Sequence, residues 1–537
     1  MSGTHAEDAG LQEPLLVAEA GDVAVVAKPE PRDGDDDLSG FGITSGVKIL
    51  ARMSTMFVPL LLNLTCAYGI NVATLSFVGH LGKAELAAAA LGTSLVGMVG
   101  RTVLYGMSGG LDTLASQAYG AGNLDAIGAH FRTALLFLYL HAGPLFLALA
   151  GLPLLLKREE SDADLGNMAA SYVRWVLPSL LFECLNRPLN SALVAQRITS
   201  PQMTIQVLAL PLHIATNYVL IHVLRLGYLG AALATCCTAA CVTAMMLAYV
   251  AATGMAGRLW RGGSGLHAST WKALTSFAKL AYPACVMRCA ESWGFSIMTL
   301  AAGKLPDPGT AVAAASVSFN IYGILYMCFA AFSMTTSTAV GNALGAGSAR
   351  LARHSALTAL CAAPLMWCLI AALLLEPHTQ TWLALVFTDG SDPALMGHLR
   401  RMLAIVAALE LFDGSQVIMT GVIQGAGKQK LGVLVNVVAF YGVAIPAALV
   451  LAFWLRWGVE GMYTGMLLGP AIQATSYATI IMRLDWREEA RRVAARAAAA
   501  ASTGATAAAA ATVTAAVVVV AHGEQRQQGQ RGGAEAA

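Results

Sequence analysis

The sequence predicts an all-α integral membrane protein with twelve transmembrane helices in two six-helix lobes, related by a parallel pseudo-two-fold repeat. Three observations predict it. Of the 537 residues, 57% are hydrophobic and only 12% charged, about half the charge of an ordinary soluble chain, so lipid is the solvent for most of the protein. Twelve windows stay apolar for about 20 residues, the length that crosses a bilayer. A glycine-rich phrase also occurs twice, as "GLDTLASQAYGAGN" (110–123) and "TAVGNALGAGSARL" (338–351), with Gly120, Ala121 and Gly122 matching Gly345, Ala346 and Gly347.

Residues 1–45 are polar and acidic, with Asp33 and a run of aspartates at 35–37, and read as a disordered tail without a signal peptide. The twelve windows lie at 54–78, 85–110, 130–155, 168–194, 203–224, 228–253, 275–301, 310–337, 354–376, 395–422, 430–454 and 460–482. Most connections are short. The longest, the basic linker 254–274, divides an N-terminal lobe (46–253) from a C-terminal lobe (275–483). The glycine phrases follow the second helix of each lobe, so helix 1 matches helix 7 and the repeat is parallel, with an axis along the membrane normal. Gln196, after helix 4, echoes Gln424 after helix 10. The glycines read as turns and as places where helix ends approach closely.

The net charge of +2 says nothing about partners. Lys and Arg in the short loops divide almost evenly between the two sides. Arg483, Arg487, Arg491, Arg492 and Arg496 after helix 12 tip the balance toward a cytosolic location for both tails and the glycine phrases. The tail 484–537 is Ala-rich and of low complexity; its uncharged stretch 497–521 is a weak candidate for a thirteenth span, with a disordered or interfacial tail preferred. The ten cysteines all fall in apolar segments and read as small buried residues.

Charge inside the spans is the informative feature. A carboxylate at the centre of a spanning helix costs about 2.5–3.5 kcal/mol on insertion scales and must face the bundle interior or a watery cavity. The chain places Asp112 near the end of helix 2, Glu183 in helix 4, Glu291 in helix 7, and Glu410 and Asp413 in helix 10. Each has a structural reading, as half of an ion pair: Arg187 lies four residues after Glu183, and Arg288 three before Glu291. Each also has a functional one, because removal from water favours the neutral form of a carboxyl and lets it trade protons. The functional reading is preferred for Glu291 and Asp413, the structural one for Asp112, Glu183 and Glu410. Arg101 has no sequence-local partner. His80, His130, His141, His213, His222 and His354 read as interfacial or solvated. Tyr119, Tyr322, Tyr326, Phe440 and Tyr441 read as packing residues, with the lining of a cavity as the alternative. No zinc, P-loop, GxSxG or CxxC motif is present, so no enzyme activity, metal or organic cofactor is expected.

Four ordered stretches resemble the multidrug and toxic compound extrusion (MATE) transporters in their eukaryotic branch. They are the first glycine phrase; "CAESWGFSIMTLAAGKLPDP" (289–308); "SVSFNIYGILYMCFAAFSMTTSTAVGNALGAG" (316–347); and "DGSQVIMTGVIQGAGKQKLGVLVNVVAFYGVAIP" (413–446). The resemblance spans roughly 45–483. It implies a proton-coupled antiporter that exports organic cations, xenobiotics or secondary metabolites, with the proton as coupling ion. It places the proton and substrate site on Glu291 and Asp413, with Asn320, Tyr326, Glu410 and Gln416 around them. A small organic cation or metabolite and membrane lipid are the implied partners, without nucleic acid. A monomer in the plasma or vacuolar membrane is expected. The chain departs from the family pattern at Ser296, where many eukaryotic members carry a second helix 7 glutamate, and after helix 4, where "NSALVAQRITSP" keeps only Gln196 and Pro201. Glu410, one turn before Asp413, is a candidate replacement for the missing charge. A lipid or glycolipid flippase of the related superfamily is the alternative; it would carry a cationic cavity, whereas the buried charge here is largely acidic. A major facilitator would carry a charged loop after helix 2, and an intramembrane enzyme would need further ligands at recognisable spacing.

Overall fold

The computed structural model describes residues 42–156, 163–261, 270–302, 304–305, 308–387 and 393–498. Long apolar stretches satisfy their backbone hydrogen bonds within themselves by forming helices, which is what lipid demands, and among the described residues no strand occurs. The first half contains α1 (Ile43–Gly79), α2 (Lys83–Gly120), α3 (Leu124–Leu156), the pair α4 (Ala163–Val176) and α5 (Ser179–Ala195), α6 (Ser200–Val223) and α7 (Tyr228–Ala252). The short α8 (Met255–Arg261) lies in the expected linker. The second half contains α9 (Thr270–Ala302), α10 (Pro308–Gly345), α11 (Ala349–Leu375), α12 (Pro377–Phe387), α13 (Pro393–Gly425), α14 (Gln429–Trp454), α15 (Gly458–Met466) and α16 (Leu468–Arg483).

Among the described residues, nine helices are long and apolar enough to cross a membrane. The other three expected windows are helical as well, as α4–α5, α9 and α15–α16. The first two carry breaks or charges, and α15–α16 is divided at Leu467 into two short helices. Pro178 separates α4 from α5, the fourth span contains Glu183 and Arg187, and α9 contains Arg288 and Glu291. The outer surface is studded with exposed apolar side chains such as Leu140, Leu147, Leu365, Leu369 and Leu434, the pattern of helices facing lipid rather than water.

The repeat is visible in the backbone. Gly122 and Gly347 both take a left-handed conformation (φ 73° and 80°). The amides of Asn123 and Ser348 reach back to the carbonyls of Ala118 and Ala343, each at 3.0 Å, which closes a Schellman cap in each half. Further on, Arg225 and Arg456 (φ 55° and 56°) and Gly227 and Gly458 (φ 60° and 62°) repeat another unusual turn. Each of those turns follows a π-helical segment, Val219–Val223 or Val450–Trp454.

The glycine phrases are not loops after the helices, as expected from sequence. They continue α2 and α10 for two to three more turns, and only residues 121–123 and 346–348 turn. These helix ends cross. A side chain at Gly120 would strike the Asn342 backbone carbonyl, and one at Gly345 would strike that of Gln117. Around the crossing, Thr113 Oγ1 donates to the Gln424 carbonyl (2.7 Å), Gln117 Nε2 to the Gly425 carbonyl (3.1 Å), and Gln429 Nε2 to Thr113 Oγ1 (2.7 Å). The two halves therefore interlock at this end.

Two apolar cores lie on either side of this contact. One is built mainly from α2–α7 and takes in Phe277, Ala281, Cys285 and Cys289 from α9. The other is built mainly from α10–α16 and takes in Met53 from α1. The first helix of each half thus packs part of its length on the opposite core. The second core also buries Trp486, Ala490 and Val493. They belong to a further helix, α17 (486–498), where a low-complexity tail was expected. Glu489 on α17 meets Lys428 at 2.6 Å, beside the interlocked end. Of the expected tail 1–45, residues 43–45 belong to α1 instead; residues 1–41, and all but the first two residues of the candidate thirteenth span 497–521, lie outside the described residues.

Candidate functional site

The ionisable residues separate into two groups. In the first half, Arg101, Asp112, Glu183 and Arg187 pair across helices. Arg101 Nε donates to Glu183 Oε1 at 2.8 Å, and Arg187 Nη2 to Asp112 Oδ2 at 3.2 Å. The expected pairing of Glu183 with its own helix neighbour Arg187 does not occur: the two helices run side by side, so each arginine finds a better-placed carboxylate on the other. Arg187 also lies over the Tyr105 ring, 5.4 Å from its centroid. Asp112 and Glu183 are thus halves of ion pairs, and Arg101, without a partner in sequence, has one in space. His213 is another correction: it is fully buried, with Thr74 Oγ1 at 2.8 Å and Thr238 Oγ1 at 2.7 Å, and it ties α6 to α1 and α7. His354 is also buried.

The second half is different. Asp413, on α13, is fully buried. Its Oδ2 accepts from Tyr322 Oη at 2.8 Å and its Oδ1 from Gln416 Nε2 at 3.2 Å, one turn along the same helix. Across from it, on α9, the half-buried Glu291 carboxyl sits beside the Gln416 and Tyr326 side chains and within electrostatic reach of Asp413 and Arg288. Arg288 does not pair with Glu291 as sequence proximity suggested. Its Nη1 donates to Tyr326 Oη at 2.9 Å. Phe295, one turn after Glu291, packs on Tyr322 with ring centroids 5.4 Å apart. Asn320, on α10, accepts from Tyr68 Oη of α1 at 3.2 Å, so it joins this region to the first half.

The site is graded in burial. Arg288 is exposed, Glu291 and Tyr326 are half-buried, and Asp413, Gln416 and Tyr322 are buried. Glu410 is the most enclosed: it is fully buried, and among the described residues neither carboxyl oxygen has a hydrogen-bond partner. Behind the site, Asn436 of α14 fixes α9 in place. Its Nδ2 donates to the Met287 carbonyl at 2.9 Å, one turn before Glu291, while its Oδ1 accepts from Gln473 (2.7 Å) and from Tyr477, both on α16. Phenol and amide donors are thus aimed at carboxyls held between two helices, and one guanidinium stands at the open side. This arrangement is suited to holding and releasing a cation or a proton.

Of the residues singled out from sequence, Glu291, Asp413, Tyr326 and Gln416 come together. Glu410 adjoins Asp413, and Asn320 lies one to two turns away beside Tyr68. Sequence reasoning missed Tyr322 as a ligand of Asp413, and Arg288 as a ligand of Tyr326. The only signal for Tyr322 was its spacing of four from Tyr326, which sets both phenols on one helix face. Tyr119 and Phe440 are core residues, and Tyr441 is exposed.

A family model described as MatE matches residues 59–219 and 283–450. The chain belongs to the MATE family. Multidrug and toxin extrusion protein 2 of Mus musculus is 32% identical over 449 residues, covering 81% of this MATE chain and 74% of the relative. Protein DETOXIFICATION 16 of Arabidopsis thaliana is 28% identical over 466 residues, 86% and 94% of the two chains. The crystal structure of the eukaryotic MATE transporter AtDTX14 superposes with a TM-score of 0.79 at 26% identity, covering 84% of this chain and 99% of that one. This MATE chain is therefore an integral membrane protein of a transporter family.

Proposed function

We propose that this protein is a proton-coupled antiporter that exports organic cations, xenobiotics or secondary metabolites by alternating access. The observation that carries the reading is the facing of Glu291 and Asp413 across α9 and α13, with Tyr322, Tyr326 and Gln416 supplying donors. Relatives named for multidrug and toxin extrusion support it. Glu291, Asp413, Glu410, Gln416, Tyr326 and Asn320 form the site.

The cycle follows from charge. Deprotonated Glu291 and Asp413 attract a cation from the cytosol. On the far side, protons neutralise them, the attraction weakens and the cargo leaves. Occupancy has to favour one lobe arrangement over the other, or it shifts nothing. We read the interlocked glycine-phrase end as the closed cytosolic side, with the tails on that side. We place the protein, as a monomer among lipids, in the plasma or vacuolar membrane.

The test is exchange of a fluorescent organic cation in proteoliposomes under an imposed pH gradient. The expected result is gradient-dependent movement by the wild type and its loss in both Glu291→Gln and Asp413→Asn. Undiminished coupling in those variants would overturn the assignment of the site.

A further inference from the structure

Three carboxyls and one guanidinium share the second-half site. Tyr322 lies in electrostatic contact with Glu291, Glu410 and Asp413 together, and Arg288 reaches both Glu291 and Asp413. Glu410 stands one turn from Asp413 on the same face of α13, fully buried, with both carboxyl oxygens free of hydrogen bonds among the described residues. The titratable groups that face it are Asp413 on its own helix and Tyr322 and Cys328 on α10. No described salt bridge or hydrogen bond reaches it from α11, α15 or α16. It is therefore not half of a structural ion pair, unlike Asp112 and Glu183.

Counting charge gives a capacity. With all three carboxyls ionised and Arg288 charged, the cluster carries two net negative charges. Uncompensated charge beside the buried Asp413 and Glu410 is disfavoured, and the empty cluster is neutral when it holds two protons. A monovalent cation restores neutrality by displacing one of them and a divalent cation by displacing both. Without Glu410, two carboxyls face one guanidinium and only one proton is exchangeable.

Resting on the antiport reading above, we propose that Glu410 is the residue that lets this site accept divalent organic cations, exchanged for two protons, beside monovalent ones exchanged for one. Glu410 acts from the enclosed end as a charge reserve and does not need to touch the cargo.

The test uses the full chain in proteoliposomes, with the membrane potential clamped to zero and a pH difference of about one unit. Each exchanged proton then multiplies the attainable accumulation about tenfold. The wild type is expected to concentrate tetraethylammonium about tenfold and methyl viologen about 100-fold. An entrapped pH dye should count about one and about two protons per cation. Glu410→Gln should lower the ratio of methyl viologen to tetraethylammonium exchange at least tenfold, and Glu410→Asp should restore it. Equal loss for both probes, or no change in the ratio, overturns the role of Glu410. So does a wild type that takes the same number of protons for both probes or excludes methyl viologen, and these wild-type measurements hold even if the variant does not fold. Failure of the antiport reading is separate: tetraethylammonium movement would then ignore both the gradient and Asp413→Asn.

Discussion

Arg101 sits deep in the first half with the Glu183 carboxylate 2.8 Å from its Nε. Glu183→Gln leaves that partly buried guanidinium without its counter-charge; breaking a fully buried pair from one side costs about 3–5 kcal/mol, and this pair, 18% and 14% exposed, falls below that. The expected result is a lower thermal midpoint in detergent, with much of the loss recovered in the double variant Arg101→Gln, Glu183→Gln. A double-mutant cycle measures the recovery. Tyr322 poses the opposite case, since its phenol donates to the site carboxylate Asp413. A hydrogen bond to a charged group contributes about 1.5–3 kcal/mol. Tyr322→Phe should therefore lower cation exchange by roughly tenfold or more while the thermal midpoint moves little. A large fall in stability with normal exchange per folded molecule would assign Tyr322 to packing alone.

At the scale of elements, the crossing of α2 and α10 allows nothing larger than hydrogen at Gly120 and Gly345, because a backbone carbonyl of the other helix lies against each. Gly345→Val holds the two helix ends apart. A cysteine placed at Ser116, buried in the crossing, should then react with a membrane-impermeant maleimide from the glycine-phrase side and stay protected when Gly345 is intact. Equal protection in both backgrounds would mean that the helices accommodate the branch elsewhere. The α17 helix makes a second such prediction. Trp486 is buried against the second core, and truncating a buried Trp costs about 3–5 kcal/mol. Trp486→Ala should lower the thermal midpoint clearly.

Across the whole molecule, the halves touch through Thr113, Gln117, Gln424, Gly425 and Gln429 at one end. If transport proceeds by rocking of the lobes, that contact must open once per cycle. Thr113→Cys combined with Gln429→Cys, bridged by a short cleavable bis-maleimide, should stop exchange, and cleavage of the bridge should restore it. Continued exchange in the bridged protein would contradict rocking about this interface. At the same scale, the two apolar cores each borrow part of the other half's first helix, so the halves are coupled through packed side chains as well as through the crossing.

The sequence by itself determined the class, the repeat and which acids lie inside the spans. Lipid selects long helices by composition alone, and a carboxylate inside one is conspicuous because it is costly. A repeated phrase needs no structure to be seen. The glycines read as turns and close approaches serve as both, but helix ends were less legible: the turns come only at 121–123 and 346–348, so α2 and α10 run on to Gly120 and Gly345. Trp486, Ala490 and Val493 gave little sign of a helix in a short charged stretch, because the surface that buries them belongs to other elements. Pairing was decided only by the tertiary structure. Spacing along one helix suggested Glu183 with Arg187 and Glu291 with Arg288, yet Glu183 took Arg101, Arg187 took Asp112 and Arg288 took Tyr326. An arginine side chain is long enough to reach a neighbouring helix, so the packing of helices, which no local pattern encodes, chooses its partner. The same packing gave Asp413 its phenol and left Glu410 with none.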